Sequence, residues 1–244
     1  MTPYIIKETC LEYYKRRLKE GWKEIKRDGF NVVLLSLDGI ERQIDLRNDV
    51  ETLRPNAAGD ETSIQNHNQP SGEHWEQVDE AIADDSSTTV FTASEVYERD
   101  LYNLPQSSGS GTINFIKIYF RVWTDYGGGA KPSLKSGSTV VDGNEVSVSS
   151  VAWQTYSQRW DKNPADNEAW EWSDIDALQI GVSLRGDGQD LYCTQVYVEV
   201  DYTPTPPAPT LVSPSDTTTG TSPVTFIWKI PTGANNRPVH AHIQ

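Results

Sequence analysis

Residues 169–202 read AWEWSDIDALQIGVSLRGDGQDLYCTQVYVEVDY, and they carry the clearest β-strand pattern in the chain. The last strand alternates with a period of two, which predicts one set of core-facing side chains: Thr194, Val196, Val198, Val200 and Tyr202. Residues 178–184 alternate in the same way, and the glycines within 185–188 indicate a chain reversal between the two strands. Ser173 and Asp176 predict a short capped helical turn ahead of both. We expect this stretch to close one sheet of an antiparallel β-sandwich.

The whole segment 73–202 has the regularly spaced turn-forming residues of an all-β domain. Short alternating segments are separated by turn-forming clusters such as Gly127-Gly128-Gly129, and no helical pattern alternates with them. The predicted strands cover residues 74–80, 88–93, 99–104, 112–123, 132–136, 145–149, 154–160, 178–184 and 192–202. We therefore predict a mainly β fold, with an antiparallel jelly-roll β-sandwich over 73–202.

Residues 1–50 predict a small helix–hairpin element in front of the sandwich. Apolar residues recur at helical spacing between 8 and 28, which predicts one helix that ends before Gly29. Its apolar stripe consists of Leu11, Tyr14, Leu18, Trp22 and Ile25. Asp38-Gly39 predicts a two-residue hairpin turn that places Val33 on the same face as Ile44. The stripe is a candidate assembly interface with the sandwich, with a second copy of the chain or with another protein.

Two further segments are predicted to connect domains. Residues 51–72 are rich in Asn, Gly, Pro and Ser, which predicts a linker or a surface loop. Residues 203–210 are rich in proline, which predicts a stiff and extended spacer.

The chain resembles known structural modules in its C-terminal half. Residues 172–182, WSDIDALQIGV, and 193–202, CTQVYVEVDY, resemble jelly-roll, carbohydrate-binding-module-like domains of phage and other viral structural proteins. Residues 211–244 are similar at LVSPSDTTTGTSPVTFIWKIP to the opening strands of a fibronectin type III or immunoglobulin-like domain, which we expect to be incomplete. The resemblance implies a displayed module, and it transfers no catalytic residue.

Charge and cysteine content narrow the function classes. The formal charge is −14, with the acidic excess in 31–202, which disfavours nucleic acid and anionic membranes as partners. Cys10 and Cys193 are the only cysteines, so we expect no disulfide framework. The start has no apolar signal-peptide segment, and no apolar run has the length of a membrane span. We expect synthesis in a host cytoplasm and no membrane insertion.

Aromatic side chains are the candidate ligand-binding residues. Alternation over 112–123 places Tyr119 and Trp123 on the face opposite to the predicted core, while Trp170 lies close to the capped turn. Aromatic rings offer an apolar face on which sugars stack, so Tyr119, Trp123 and Trp170 predict a glycan-binding platform. Tryptophan is mostly buried in proteins, so core packing is the alternative.

Oxygen-rich turns are the candidate metal sites. Asp142, Asn144, Asp187 and Asp190 offer calcium ligands beside glycines, but hairpin turns use the same residues for backbone reasons. We therefore expect no metal and no cofactor, with calcium as the alternative.

Recognisable catalytic motifs are missing from the sequence. There is no G-x-S-x-G, H-E-x-x-H or P-loop motif, so we expect a protein that is not an enzyme. A hydrolase built on the sandwich would instead require a deep cleft with paired carboxylates.

These observations together predict a non-enzymatic structural protein of a virion, displayed on a phage-like capsid or tail as a decoration, fibre or adhesin. Its partners would be other virion proteins or a second copy, bound through residues 1–50, and a cell-surface glycan. The alternative is a carbohydrate-binding module of a larger extracellular protein.

Overall fold

The computed structural model describes residues 6–28, 31–36, 41–45, 48–68, 72–85, 87–148, 152–205, 210–213 and 227–229. The chain forms two compact units that divide after Pro204. The first unit contains two antiparallel sheets around a common core, together with a small N-terminal helix and hairpin. This confirms the predicted mainly β, sandwich-like fold.

The helices are α1 (Cys10–Lys19) and α2 (Trp172–Asp176), and a 3-10 turn covers His74–Gln77. The strands are β1 (Ile6–Thr9), β2 (Lys23–Asp28), β3 (Asn31–Leu35), β4 (Glu41–Asp45), β5 (Asp49–Leu53), β6 (Ala57–Thr62), β7 (Asn66–His67), β8 (Val90–Thr92), β9 (Glu98–Asn103), β10 (Thr112–Thr124), β11 (Gly129–Ser136), β12 (Thr139–Asp142), β13 (Val146–Ser147), β14 (Gln154–Trp160), β15 (Gln179–Arg185), β16 (Leu191–Thr203), β17 (Thr210–Ser213) and β18 (Ile227–Lys229).

The first sheet is built around the long central strands β10 and β16. Its order is β1-β5-β16-β10-β14, and β8 pairs with the start of β16 on the same side as β5. Strand β7 extends this side by pairing with β8. The long β16 therefore has two different neighbours along one edge, each of which is brought from far away in the sequence.

The second sheet has the order β12-β11-β15-β9-β6, with β13 paired to β11. Apolar side chains of the two sheets meet between them and exclude water. Fully buried members of this core include Leu53, Val90, Ile116, Ile118, Val122, Leu134, Ile180, Val182, Leu184, Val196, Val198 and Val200. The alternating residues of β10, β15 and β16 supply much of the core, as their period of two predicts.

A β-bulge changes the predicted alternation of β16. Val196 pairs with Phe120 and faces the core, but the register shifts between Arg121 and Val122. Thr194 is the extra residue, so Cys193 points into the core and Tyr192 points outward. Thr194 therefore does not share the core face with Val196, and its hydroxyl donates to Asp84 and to the carbonyl of Thr88.

The first helix is shorter than the sequence predicts. It ends at Lys19, where Trp22 N–H donates to the Arg17 carbonyl and Gly21 N–H donates to the Leu18 carbonyl. These two bonds form a Schellman motif, for which Gly21 provides the positive φ of 91°. The chain then enters β2, so the prediction of one helix to residue 28 is wrong.

The predicted hairpin is present in a different register. Strands β3 and β4 pair with Leu35 opposite Glu41 and with Val32 opposite Ile44. Directly opposite residues share a face, so Ile44 lies with Val32 and not with Val33. This is a one-residue slip from the register that a two-residue turn at Asp38-Gly39 requires, and that turn lies outside the described residues.

Residues 51–72, predicted as a linker, contribute strands to both sheets. Strand β5 lies between β1 and β16 in the first sheet, and β6 pairs with β9 in the second. Strand β1 and helix α1 are attached to this part of the sandwich, where Tyr13 is buried with Leu34 and Val50. The N-terminal element thus belongs to the same compact unit as the sandwich.

Residues 74–77, predicted as a strand, form the 3-10 turn, which is capped by reciprocal hydrogen bonds between Glu73 and Glu76.

Of the unit after Pro204, the structure describes β17 and β18, which pair with each other. The predicted fibronectin-like or immunoglobulin-like domain over 211–244 lies mostly outside the described residues. None of the described helices has the length and apolar character needed to cross a membrane.

Candidate functional site

Four aromatic side chains form a continuous row on the outer face of the first sheet. They are Phe91 on β8, Tyr192 on β16, Trp123 on β10 and Trp153 immediately before β14. Neighbouring ring centroids are 5.1 Å apart for Phe91–Tyr192, 5.4 Å for Tyr192–Trp123 and 5.8 Å for Trp123–Trp153. All four rings are half-buried, so each has an edge or a face in contact with solvent. We call this row the aromatic band.

Strand pairing explains why the rings meet. Tyr192 is directly opposite Phe91 on one side and directly opposite Trp123 on the other. Directly opposite side chains in an antiparallel sheet share a face and touch. The bulge at Thr194 is essential here, because without it Tyr192 would point into the core with Val196.

The rings follow the curvature of the sheet. Planes of neighbouring rings are tilted by 32°, 34° and 31° along the band. Adjacent strands in a sheet are rotated by roughly 20–25°, which accounts for most of this tilt. The band is therefore a gently twisted apolar strip with partly exposed ring surface.

Polar groups lie at the edge of the aromatic band. The Tyr192 hydroxyl donates to a carboxylate oxygen of Asp190 at 3.1 Å. Burial, followed by the charges of Asp190 and Asp125, raises the pKa of Tyr192, so this hydroxyl stays protonated at neutral pH. An apolar strip with hydrogen-bonding groups beside it can hold a ligand that is both apolar and polar.

Only one of the three predicted ligand-binding aromatics lies in the band. Trp123 is there, but Tyr119 is 2% exposed and stacks on Tyr197 at 4.7 Å. Trp170 is 3% exposed, packs in the main core and donates its indole N–H to the Trp160 carbonyl. Burial leaves Tyr119 and Trp170 without a surface for a ligand, so the structure does not support these two predictions.

Sequence reasoning missed three members of the band. Phe91 lies within a predicted strand too short to show which face it occupies, and Trp153 lies just before the predicted strand 154–160. Tyr192 was assigned to a strand, but its direction depends on the bulge at Thr194. A search for aromatic residues in register across predicted neighbouring strands is the one signal that points to them.

The predicted assembly stripe does not form one surface. Leu11, Tyr14 and Leu18 lie in α1, whereas Trp22 follows the helix and Ile25 lies in β2. Tyr14 and Trp22 pack against the small N-terminal core, Leu18 and Ile25 are exposed, and the Leu11 side chain lies outside the described part. Assembly through residues 1–50 stays a prediction.

The three carboxylates among the four candidate calcium ligands are engaged by protein groups. Asp142 accepts hydrogen bonds from Ser133 and Arg99, whereas at Asn144 it is the main-chain N–H that donates to the Gln158 side chain. Asp187 forms an ion pair with Arg185, and Asp190 accepts from Tyr192 as described above. Among the described residues, no group of three His, Cys, Asp or Glu side chains is placed to hold a metal ion.

Comparison with known proteins gives fold neighbours of low similarity. No family model matches the chain, and no curated protein matches it. A family 61 carbohydrate-binding module solved in complex with β-1,4-galactotriose aligns with a TM-score of 0.29 and 14% identity, over 46% of this chain and 68% of that chain. A family 16 carbohydrate-binding module aligns with a TM-score of 0.24 and 11% identity, over 46% of this chain and 75% of that chain.

A third neighbour is the Arthrobacter globiformis T6 isomalto-dextranase complexed with panose. Its TM-score is 0.23 and its identity is 11%, over 72% of this chain and 37% of that chain. All three TM-scores are below 0.5, a level of similarity that does not assign a ligand or an activity to this chain.

Proposed function

We propose that the protein is a carbohydrate-binding module and that the aromatic band is its binding surface. The observation that carries this proposal is the row of Phe91, Tyr192, Trp123 and Trp153, in contact with each other and partly open to solvent. Soluble proteins rarely leave contiguous aromatic surface exposed without a use for it.

Carbohydrate is the ligand class that fits such a band. The C–H faces of a sugar ring are apolar and pack on an aromatic ring, while the hydroxyl groups around the rim need hydrogen-bond partners. Asp190 and Asp125 provide carboxylates near Tyr192. A glycan chain that lies along the band would place successive sugar units on successive aromatic rings.

The test is glycan binding by the wild-type protein and by substitutions at Trp123. A glycan array identifies a ligand, and isothermal titration calorimetry then gives its affinity. Trp123→Ala removes the central ring and is expected to weaken binding by about tenfold or more, whereas Trp123→Phe keeps a smaller aromatic face and part of the affinity. Val96→Ala, at an exposed position outside the band, serves as control.

Two results would count against this function. One is the absence of binding to any glycan on a broad array. The other is binding that Trp123→Ala leaves unchanged while circular dichroism shows a folded protein. A protein partner that binds the wild type but not Trp123→Ala, together with no glycan binding, would point instead to a protein-binding surface.

Display on a virion, which the order of the segments predicts, stays a prediction, as does the absence of enzymatic activity. Mass spectrometry of purified phage-like particles is the measurement that tests the former. A carbohydrate-binding surface is compatible with display on a particle and with a module of an extracellular protein.

A further inference from the structure

A second concave site lies on the outer face of the first sheet, apart from the aromatic band. It is a cleft of about 370 Å³ between the end of α1 and the segment 79–85. Its lining includes Arg16, Arg17, Glu20, Trp22, Arg54 and Tyr197. We call it the arginine cleft.

The segment 79–85 separates the arginine cleft from the aromatic band. The Glu80 carbonyl accepts a hydrogen bond from the Gln195 side chain, and Asp85 forms an ion pair with Arg121 at 2.6 Å. Gln195 and Arg121 are opposite each other on β16 and β10, next to the band in the direction of the cleft. The segment thus crosses the sheet between the two sites, and each has its own lining residues.

The charges along the cleft are unusual for this protein. The described lining includes three arginines and a single carboxylate, Glu20, although the whole chain has a formal charge of −14. Glu20 is shared, because it pairs with Arg16 at 2.9 Å and with Arg17 at 3.0 Å. A locally positive site on an otherwise acidic protein attracts anions, which the rest of the surface repels.

Arg54 is the most deeply buried arginine of the cleft, with 8% of its surface exposed. Its guanidinium donates to the main-chain carbonyls of Glu80 at 2.6 Å and Ala81 at 3.3 Å. Among the described residues it forms no ion pair with a carboxylate, and its Nε has no hydrogen-bond partner. Burial lowers the pKa of Arg54 below its ordinary value, although the carboxylates of Glu199 and Glu80 act in the opposite direction. A buried guanidinium whose direct partners are carbonyl groups favours an anion at the cleft.

Arg17 is partly neutralised and holds the cleft together. Its guanidinium lies 3.6 Å from the fully buried Glu199 and above the ring of Trp22 at 4.9 Å. Burial alone lowers the pKa of Arg17, but Tyr13 and Glu199 outweigh it, so the pKa lies above its ordinary value. Arg17 therefore stays charged, and its guanidinium packs on the Trp22 ring beside the cleft.

Two aromatic rings complete the site. Trp22 and Tyr197 both line the cleft, and the Arg54 guanidinium lies over the Tyr197 ring at 4.6 Å. The volume is within the range of small-molecule sites, about 300–1,000 Å³. The combination of guanidinium groups with ring surface suits a small ligand that has an acid group on an otherwise neutral body.

We propose that the arginine cleft binds a small anionic ligand through a carboxylate or sulfate group, with Arg16 and Arg54 as its charged partners. This site is independent of the aromatic band, and its ligand is a different chemical class from a neutral glycan. Arginine suits both groups, because its planar fork of donors matches their oxygen atoms.

Isothermal titration calorimetry at constant ionic strength tests the proposal with three probes: sodium glucuronate, sodium sulfate and the neutral sugar glucose. Saturable binding of glucuronate or sulfate, with none of glucose, is the expected result. Glucuronate without sulfate identifies an acidic sugar as the ligand class, whereas sulfate binding identifies a general oxyanion site. Raising the salt concentration is expected to weaken either interaction.

Substitutions locate the binding. Arg16→Gln changes a partly exposed side chain on α1 and is expected to weaken anion binding by about tenfold or more, the loss of a charge-assisted hydrogen bond. Arg54→Gln is expected to act in the same direction, and Arg16→Gln remains informative if that buried substitution prevents folding. Arg159→Gln removes a half-exposed arginine from the same sheet face outside the cleft and serves as matched control.

Absence of saturable binding by both anions would overturn the proposal. Equal binding by the wild type and Arg16→Gln would also overturn it, as would an equal loss in Arg159→Gln. Trp123→Ala is expected to bind the anion normally, so failure of the arginine cleft and failure of the aromatic band are distinguishable.

Discussion

The carboxylate of Glu51 connects two parts of the sandwich that are distant in sequence. Glu51 is fully buried in β5, opposite Val200 of β16. One of its oxygens accepts from the Ser108 N–H at 2.7 Å and from the Ser108 hydroxyl at 2.8 Å, and the other accepts from the Gly109 N–H at 2.7 Å. The Glu51 side chain therefore ties the loop after β9 to the first sheet.

Glu51→Ala removes all three of these hydrogen bonds. Each bond to an ionised acceptor contributes about 1.5–3 kcal/mol, and a buried donor left without a partner costs about 1–3 kcal/mol. Solvent that enters the vacated space recovers part of this, so we expect a loss of about 3–5 kcal/mol in the free energy of unfolding. In a unit of this size, that corresponds to a fall in melting temperature of about 10 °C.

The measurement is urea unfolding followed by tryptophan fluorescence. Glu51→Gln is expected to cost less than Glu51→Ala, because the amide oxygen still accepts from Ser108 while its NH₂ group faces the Gly109 donor. Glu61→Ala is the control, since Glu61 forms a partly exposed ion pair with Arg99 and its loss is expected to cost less than about 1 kcal/mol. A Glu51→Ala protein as stable as Glu61→Ala would refute the reasoning.

Two further predictions concern ionisable groups of the sandwich. Burial, with Asp84 and Asp79 nearby, raises the pKa of Glu80 to about 7, so the folded state holds its proton more tightly than the unfolded state. The free energy of unfolding is thus expected to fall as the pH rises from about 4.5 to 7. This fall is expected to be less steep in Glu80→Gln, and equal pH profiles of the two proteins would contradict the prediction. Burial also raises the pKa of the Cys193 thiol to about 12. In a Cys10→Ser protein, Cys193 is expected to react with a thiol reagent only after denaturant is added, and rapid labelling of the native protein would be contrary evidence.

The period-two patterns of β10, β15 and β16 predict the sandwich well. Along these strands every second residue is apolar, and burying that face is the main driving force available to the chain. Prediction from such periodic patterns fails where main-chain hydrogen bonding changes the course of the backbone. At Thr194 one extra residue reverses the direction of Tyr192 and Cys193, and at Gly21 a helix ends inside an unbroken helical pattern.

The buried polar residues show a different kind of failure. Glu199 of β16 lies on the strand face opposite to that of Val198 and Val200, yet it is fully buried close to Arg17. Arg17 of α1 lies over this face of the sheet at Glu199, and no pattern within β16 can reveal that contact. The same holds for Glu51, whose hydrogen-bond partners are more than fifty residues away along the chain.

Local chemistry alone determined that this chain forms strands with one apolar face, since alternation is a property of neighbouring residues. The tertiary structure decided which residues became sites. The aromatic band draws its rings from β8, β10, β16 and the residue before β14, and the arginine cleft combines α1 with Arg54 and the segment 79–85. Both sites depend on strand register and on pairing between distant segments, which are fixed only when the whole apolar face is buried at once.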